Sequence, residues 1–149
     1  MEWKREERKR RRGQAGFSLI ELIVVLVILG LLATVVGPKV MERLKGAKRE
    51  LAKVQIAELE QALDLYSFDM GHYPQGNEGL QALLNNPGGD QWKGPYLKKN
   101  SVPKDPWGRE YVYRSPGQHG EYDLLALGAD GQEGGEGENA DVTSWSLGK

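Results

Sequence analysis

One carboxylate, Glu21, stands inside the most apolar run of the chain, and six acids gather between Asp123 and Asp141 with no basic residue among them. Each arrangement implies a partner. A carboxylate within a membrane-spanning segment costs about 2.5–3.5 kcal/mol near a bilayer centre and less near an edge, so a group that neutralises Glu21 is required. The acids of the second cluster are Asp123, Asp130, Glu133, Glu136, Glu138 and Asp141, spread among Gly128, Gly131, Gly134, Gly135 and Gly137. Uncompensated carboxylates on such a loop repel one another, and a hard divalent cation would order them, because Ca²⁺ accepts six to eight oxygens in irregular geometry. The spacing of an EF-hand is absent, so the residues alone leave a solvated acidic loop and a cation loop both open. Catalysis finds little footing. His72 and His119 fall in turn segments, there is no nucleophile-elbow or His-Glu-x-x-His pattern, and no cysteine exists to supply a thiolate. The chain is expected not to be an enzyme.

The elements that must position these groups follow from patterning. Phe17 to Val36 is an apolar run of 20 residues, enough to cross about 30 Å of hydrocarbon as a helix. Elsewhere the chain is soluble in character, with a mean hydropathy of −0.56 overall. Residues 1–16 carry seven basic and three acidic side chains, a balance of +4, while the rest holds 13 Lys and Arg against 18 Asp and Glu, a balance of −5. That asymmetry places residues 4–12 in the cytoplasm and everything after Pro38 on the far side of the membrane. It also disfavours a nucleic-acid partner, which would demand basic residues on the folded part. No small-x-small cleavage site follows the apolar run, so an ordinary secretory signal does not fit. A plain N-terminal anchor fits the hydropathy but leaves Glu21 unexplained.

Past Pro38 the helical period continues. Val40, Leu44, Ala47, Leu51 and Val54 trace one stripe, and Ile56, Leu59, Leu63, Tyr66 and Met70 a second, with Lys45, Lys48, Arg49, Glu50, Lys53, Glu58 and Glu60 expected on the solvent side. Gly37-Pro38 predicts a kink or local melting. A helix from Phe17 to about Met70 would run roughly 80 Å, more than the remaining residues can bury, so its first half must find membrane or other subunits. Gly71 to Pro74 should stop it. A short amphipathic helix is expected over residues 78–84, then strands over 110–114 and 122–127 and a short third over 143–146, separated by turns at 105–108 and 115–120. The expected class is α+β: a long N-terminal transmembrane and stalk helix packed on a small antiparallel sheet.

The junction Gly16-Phe17-Ser18-Leu19-Ile20-Glu21, preceded by a basic leader and followed by a Leu/Val/Ile run, resembles the class III signal of type IV pilins and pseudopilins. The resemblance implies cleavage after Gly16 by a prepilin peptidase and N-methylation of Phe17. Cleavage creates a cationic α-amine at Phe17, with which Glu21 of a neighbouring subunit can pair. The alternative is that Glu21 snorkels to the headgroups or serves its own helix N-terminus. Further along, Tyr73-Pro74, residues 79–83, Tyr96-Leu97, residues 102–108, residues 113–117, Tyr122-Asp123 and residues 127–130 stand in an order that resembles the major pseudopilins of the type II secretion system. That likeness implies a pilin-like fold with a structural Ca²⁺ in the C-terminal loop, held by the Leu127 carbonyl, Asp130, Asn139 and Asp141.

The implied organisation is a cleaved leader (1–16), a transmembrane and assembly helix (17–37), a stalk helix (38–70) and a periplasmic α+β region (71–149). Residues Phe17, Glu21 and Pro38 belong to assembly. The implied function is a self-assembling subunit of a periplasmic pseudopilus that drives folded proteins across the outer membrane. The implied location is the bacterial inner membrane, single-pass with the N-terminus cytoplasmic. Expected partners are further copies of the chain, minor pseudopilins, prepilin peptidase, an inner-membrane assembly platform and an outer-membrane secretin, with no nucleic acid. A type IV pilus or DNA-uptake pilin is the competing reading; major type IV pilins usually close the C-terminal loop with a disulfide, which a chain without cysteine cannot do.

Overall fold

The computed structural model describes residues 16–147, so the expected leader lies outside the described residues except for Gly16. Packing divides the chain into two units, one ending at Val40 and one beginning at Met41. A single helix, α1, runs from Leu19 to Met70. Among the described residues of the first unit only this helix is regular, and from Leu19 to Val36 its large apolar side chains are each about half exposed or more. The stretch is long and apolar enough to cross a membrane. Gly37 and Pro38 are helical, so the melting expected there is absent in the single chain. Proline still deletes the backbone bond to the carbonyl four residues earlier, and the break remains a weak point.

In the second unit α1 is amphipathic as its spacing requires. Ile56, Leu59, Leu63 and Tyr66 are fully buried, joined by Ala52 and Ala62, whereas Leu44, Leu51 and Val54 of the first stripe remain exposed. Each large apolar side chain so buried contributes about 1.5–3 kcal/mol. Gly71 ends the helix at φ +79°, a conformation that a side chain would oppose, and its N–H donates to the Ser67 carbonyl at 2.8 Å. The segment expected as an amphipathic helix is a 3-10 helix, Gly79–Leu83, whose Leu80, Ala82 and Leu83 enter the core.

Three antiparallel strands follow in the order β1 (Val112–Arg114), β2 (Asp123–Ala126), β3 (Val142–Thr143). Val112 pairs Leu125, and Leu125 pairs Thr143. All four residues of β2 are buried. The sheet is too small to stand alone and is held by α1. Tyrosine hydroxyls secure it: Tyr111 donates to Gln55 at 2.6 Å, Tyr73 to Asp64 at 2.9 Å, Tyr96 to Asp69 at 2.8 Å and Tyr122 to Glu60 at 3.4 Å. Glu60 is therefore half-buried rather than on the solvent side, and burial raises its carboxyl above the ordinary range against the Tyr122 bond. Burial pushes the Tyr113 hydroxyl up to about 12, keeping it a donor, here to the Pro74 carbonyl at 2.8 Å.

Asp123 is the one fully buried acid of β2. Burial alone would raise its pKa, but N–H groups of Gln118 and His119, both at 3.0 Å, and the His119 ring at 3.2 Å hold it below the ordinary carboxylate value. The His119 ring in turn stacks on Trp145 with centroids 3.9 Å apart. A carboxyl whose folded pKa lies below its unfolded value of about 3.9 adds stability above that pH and loses it as the pH falls through the folded value. Wild-type stability, measured by denaturant titration, is expected to decline below about pH 4 for this reason. Asp123→Asn is expected to cost about 1–3 kcal/mol at pH 7 and to flatten that decline. An acid limb unchanged in the variant would assign the decline to other carboxyls.

Candidate functional site

At the N-terminus the helix begins two residues after Phe17. The Glu21 N–H donates to Ser18 Oγ and the Ser18 N–H donates to Glu21 Oε2, both at 3.3 Å. This is a reciprocal capping box, Ser-x-x-Glu, which satisfies two of the four N–H groups a helix start leaves open. In the single chain the acid thus serves its own helix N-terminus, the alternative to pairing with a neighbour. Oε1 has no hydrogen-bond partner among the described residues. Phe17 is 91% exposed and, with Glu21, Leu22 and Val25, borders a shallow apolar recess. The Ser-x-x-Glu spacing is readable in the sequence, and Ser18 is a capping residue that the charge of Glu21 overshadows.

In the second unit β2 and β3 diverge into the acidic loop. One step beyond the paired Ala126 and Val142, Leu127 and Asp141 leave the ladder opposite one another. The two borders stay together: the Ala129 N–H donates to the Glu138 carbonyl at 2.9 Å, and any side chain at Gly128 would strike the Asn139 carbonyl. Of the residues the resemblance names, Asp130 Oδ1 accepts from the Gln132 N–H at 3.1 Å and Asp141 Oδ2 from the Gly134 N–H at 2.8 Å. Asp141 Oδ1 is buried and has no partner. Among the described residues no group of three or more His, Asp or Glu side chains converges as a metal cluster. A cation here would therefore lean on backbone and amide oxygens, as the chemistry of Ca²⁺ permits. The orphaned Asp141 Oδ1 fits that donor set.

The expectation that nothing compensates the loop is corrected. Its countercharges arrive from outside the Asp123–Asp141 stretch. Arg109 Nη2 donates to the Gly128 and Ala129 carbonyls at 2.8 and 2.9 Å. Arg109 is placed by the 105–108 turn, where Asp105 Oδ1 accepts from the N–H groups of Trp107 and Arg109. Arg49 Nη1 donates to the Ala140 carbonyl at 2.6 Å, Lys45 pairs with Glu138 at 2.5 Å, and Arg114 pairs with Glu133. Lys45 and Arg49, expected in solvent, are thus half-buried against the loop.

Comparison with known proteins agrees with this geometry. The family profile described as type II secretion system (T2SS), protein G matches residues 39–145, and the prokaryotic N-terminal methylation motif matches residues 11–37. A relative from Pseudomonas aeruginosa, named type II secretion system core protein G, is 49% identical over 140 residues, 91% of this chain and 97% of its own. Its namesake from Vibrio cholerae is 45% identical over 143 residues, 93% of this chain and 97% of its own. The crystal structure of the major pseudopilin from the type 2 secretion system of enterohaemorrhagic Escherichia coli matches with a TM-score of 0.56 at 30% identity, covering 71% of this chain and 93% of that one. With a membrane-grade helix, a three-stranded sheet on its second half and both profiles in place, the chain belongs to the type II secretion system protein G family, the major pseudopilins.

Proposed function

We propose that the chain is the structural subunit of a type II secretion pseudopilus, processed after Gly16, N-methylated at Phe17 and polymerised through α1. The observation that carries this reading is the first half of α1, whose large apolar side chains are each about half exposed or more among the described residues. Exposed apolar surface on that scale needs lipid before assembly and sister helices after it. The chain would sit in the inner membrane as a single pass with its N-terminus cytoplasmic, its basic leader obeying the positive-inside rule. On docking, Glu21 leaves its cap on Ser18 and pairs with the Phe17 amine of a neighbouring copy, which fixes axial register. Prepilin peptidase, minor pseudopilins, an inner-membrane platform with its cytoplasmic ATPase and an outer-membrane secretin complete the partners.

Calcium is proposed for the C-terminal loop, held by the Leu127 carbonyl, Asp130, Asn139 and Asp141. It would satisfy the buried Asp141 Oδ1 and close a loop that no disulfide can close. Co-expression with a prepilin peptidase tests the main reading. The product is expected to begin at Phe17 by N-terminal sequencing and to form filaments visible by electron microscopy. A chain that keeps its leader, or that is cleaved and stays monomeric with its partners present, would overturn it.

A further inference from the structure

Between the Gly37-Pro38 break and the core lies a stretch of α1 with little to hold it. From Met41 to Leu51 no residue is buried, and Ala52 is the first that is. An isolated helix of that length is marginal in water, and Gly46 at its centre costs about a further 1 kcal/mol relative to alanine. Among the described residues, its hydrogen-bonded attachments to the rest of the second unit are Lys45 and Arg49, one turn apart on one face. Arg49 Nη1 reaches the Ala140 carbonyl at 2.6 Å and the Gly137 carbonyl at 3.3 Å, while Lys45 reaches Glu138 at 2.5 Å. All three partners belong to one short segment around the 3-10 turn Gly137–Asn139. Arg109 grips the other end of the same loop through Gly128 and Ala129.

We propose that the 127–141 loop is a clamp on α1, with Arg49 and Lys45 as positioning residues that couple loop order to helical order at residues 41–51. Helix opening that begins at the weak Gly37-Pro38 step can spread toward the globular unit only as far as the clamp. Whatever orders the loop then orders the stalk, and the coupling is reciprocal, so a helical stalk favours the ion-competent loop. The link to an ion rests on the calcium reading above; the mechanical clamp does not. Because arginine to alanine raises intrinsic helix propensity, loosening of the stalk by Arg49→Ala could come only from the lost tertiary contact.

Hydrogen exchange of the full-length chain in detergent micelles tests this, with peptides covering 41–51, 56–66 and 128–141 followed in calcium and in EGTA. In wild type, calcium is expected to slow exchange at 128–141 and at 41–51, by about five- to tenfold in the latter, with little change at 56–66. Arg49→Ala is expected to speed exchange at 41–51 in both conditions and to remove the calcium effect there while the loop still responds. Arg49→Lys, which keeps a donor, should fall between. Lys53→Ala, an exposed position outside the clamp, should match wild type. Protection of 128–141 by calcium without any change at 41–51 overturns the coupling and leaves the calcium reading standing. No calcium effect at 128–141 overturns the calcium reading, and the Arg49→Ala arm in EGTA then decides the clamp. Unchanged exchange at 41–51 in that arm overturns it.

Discussion

Glu21→Gln is expected to leave the chain processed, inserted at least as well as wild type, and unable to form filaments. Glutamine at this position still accepts from the Ser18 N–H, so the helix start that Ser18 and Glu21 build survives. Insertion should improve, since a charge is removed from the apolar segment. What disappears is the anion proposed to stand opposite the Phe17 amine of the next subunit. Removing one partner of a poorly solvated pair costs about 3–5 kcal/mol, because the other charge is left unmatched. At 1.4 kcal/mol per factor of ten, each addition step weakens by about a hundred- to a few-thousand-fold, which no filament of many identical steps survives. Ser18→Ala makes the opposite cut: it removes the cap, worth about 1 kcal/mol, and keeps the charge, so filaments should persist at reduced yield. Immunoblotting for the mature chain and microscopy of sheared filaments read both variants. Normal filaments from Glu21→Gln, with none from Glu21→Ala, would assign the residue to capping alone.

The observed cap and the proposed pairing at Glu21 illustrate what the sequence exposes and what it hides. A lone acid in an apolar run is visible because it violates the pattern, and the second stripe of α1 is visible because its period is unbroken. Gly71 stops the helix where a glycine before a Tyr-Pro pair should. The strands are shorter than their residue types indicate, for local reasons. Tyr111 is buried with its hydroxyl on Gln55, off the β1 ladder. After Thr143 the chain turns into a 3-10 helix, Ser144–Ser146, in place of the expected strand, and Ser144 Oγ accepts the Leu124 N–H at 3.2 Å where a ladder carbonyl would have stood. Lys45 and Arg49 are illegible for a different reason. Their partners lie about ninety residues away, and on a helix face a cation bound to a loop reads the same as one in water.

Withdrawing calcium from the wild-type chain is expected to lower its melting temperature by roughly 10–20 °C, and to leave Asp141→Asn unmoved. The magnitude follows from mass action. Calcium at a hundred times its dissociation constant stabilises the folded state by about 2.7 kcal/mol, and each kcal/mol shifts a domain of this size by about 4–8 °C. The variant separates two roles of one side chain. Its amide would keep an oxygen for the Gly134 N–H, so the local turn survives. It would remove the charge whose Oδ1 is buried without a partner, an arrangement that destabilises the ion-free loop. Asp141→Asn should therefore match or exceed wild type in EGTA and fall below it in calcium, so that the order of the two proteins reverses with the ion. Tryptophan fluorescence can follow the transition, since Trp92 and Trp107 pack against the core and Trp145 against His119. A variant weaker than wild type by the same amount in both conditions would reduce Asp141 to an acceptor for one backbone N–H. An equal melting temperature for wild type with and without calcium would leave the four cations Lys45, Arg49, Arg109 and Arg114 as the loop's charged support. The reversal is the sharper outcome, because only a charge held ready for a cation is worse than an amide when the cation is gone and better when it returns.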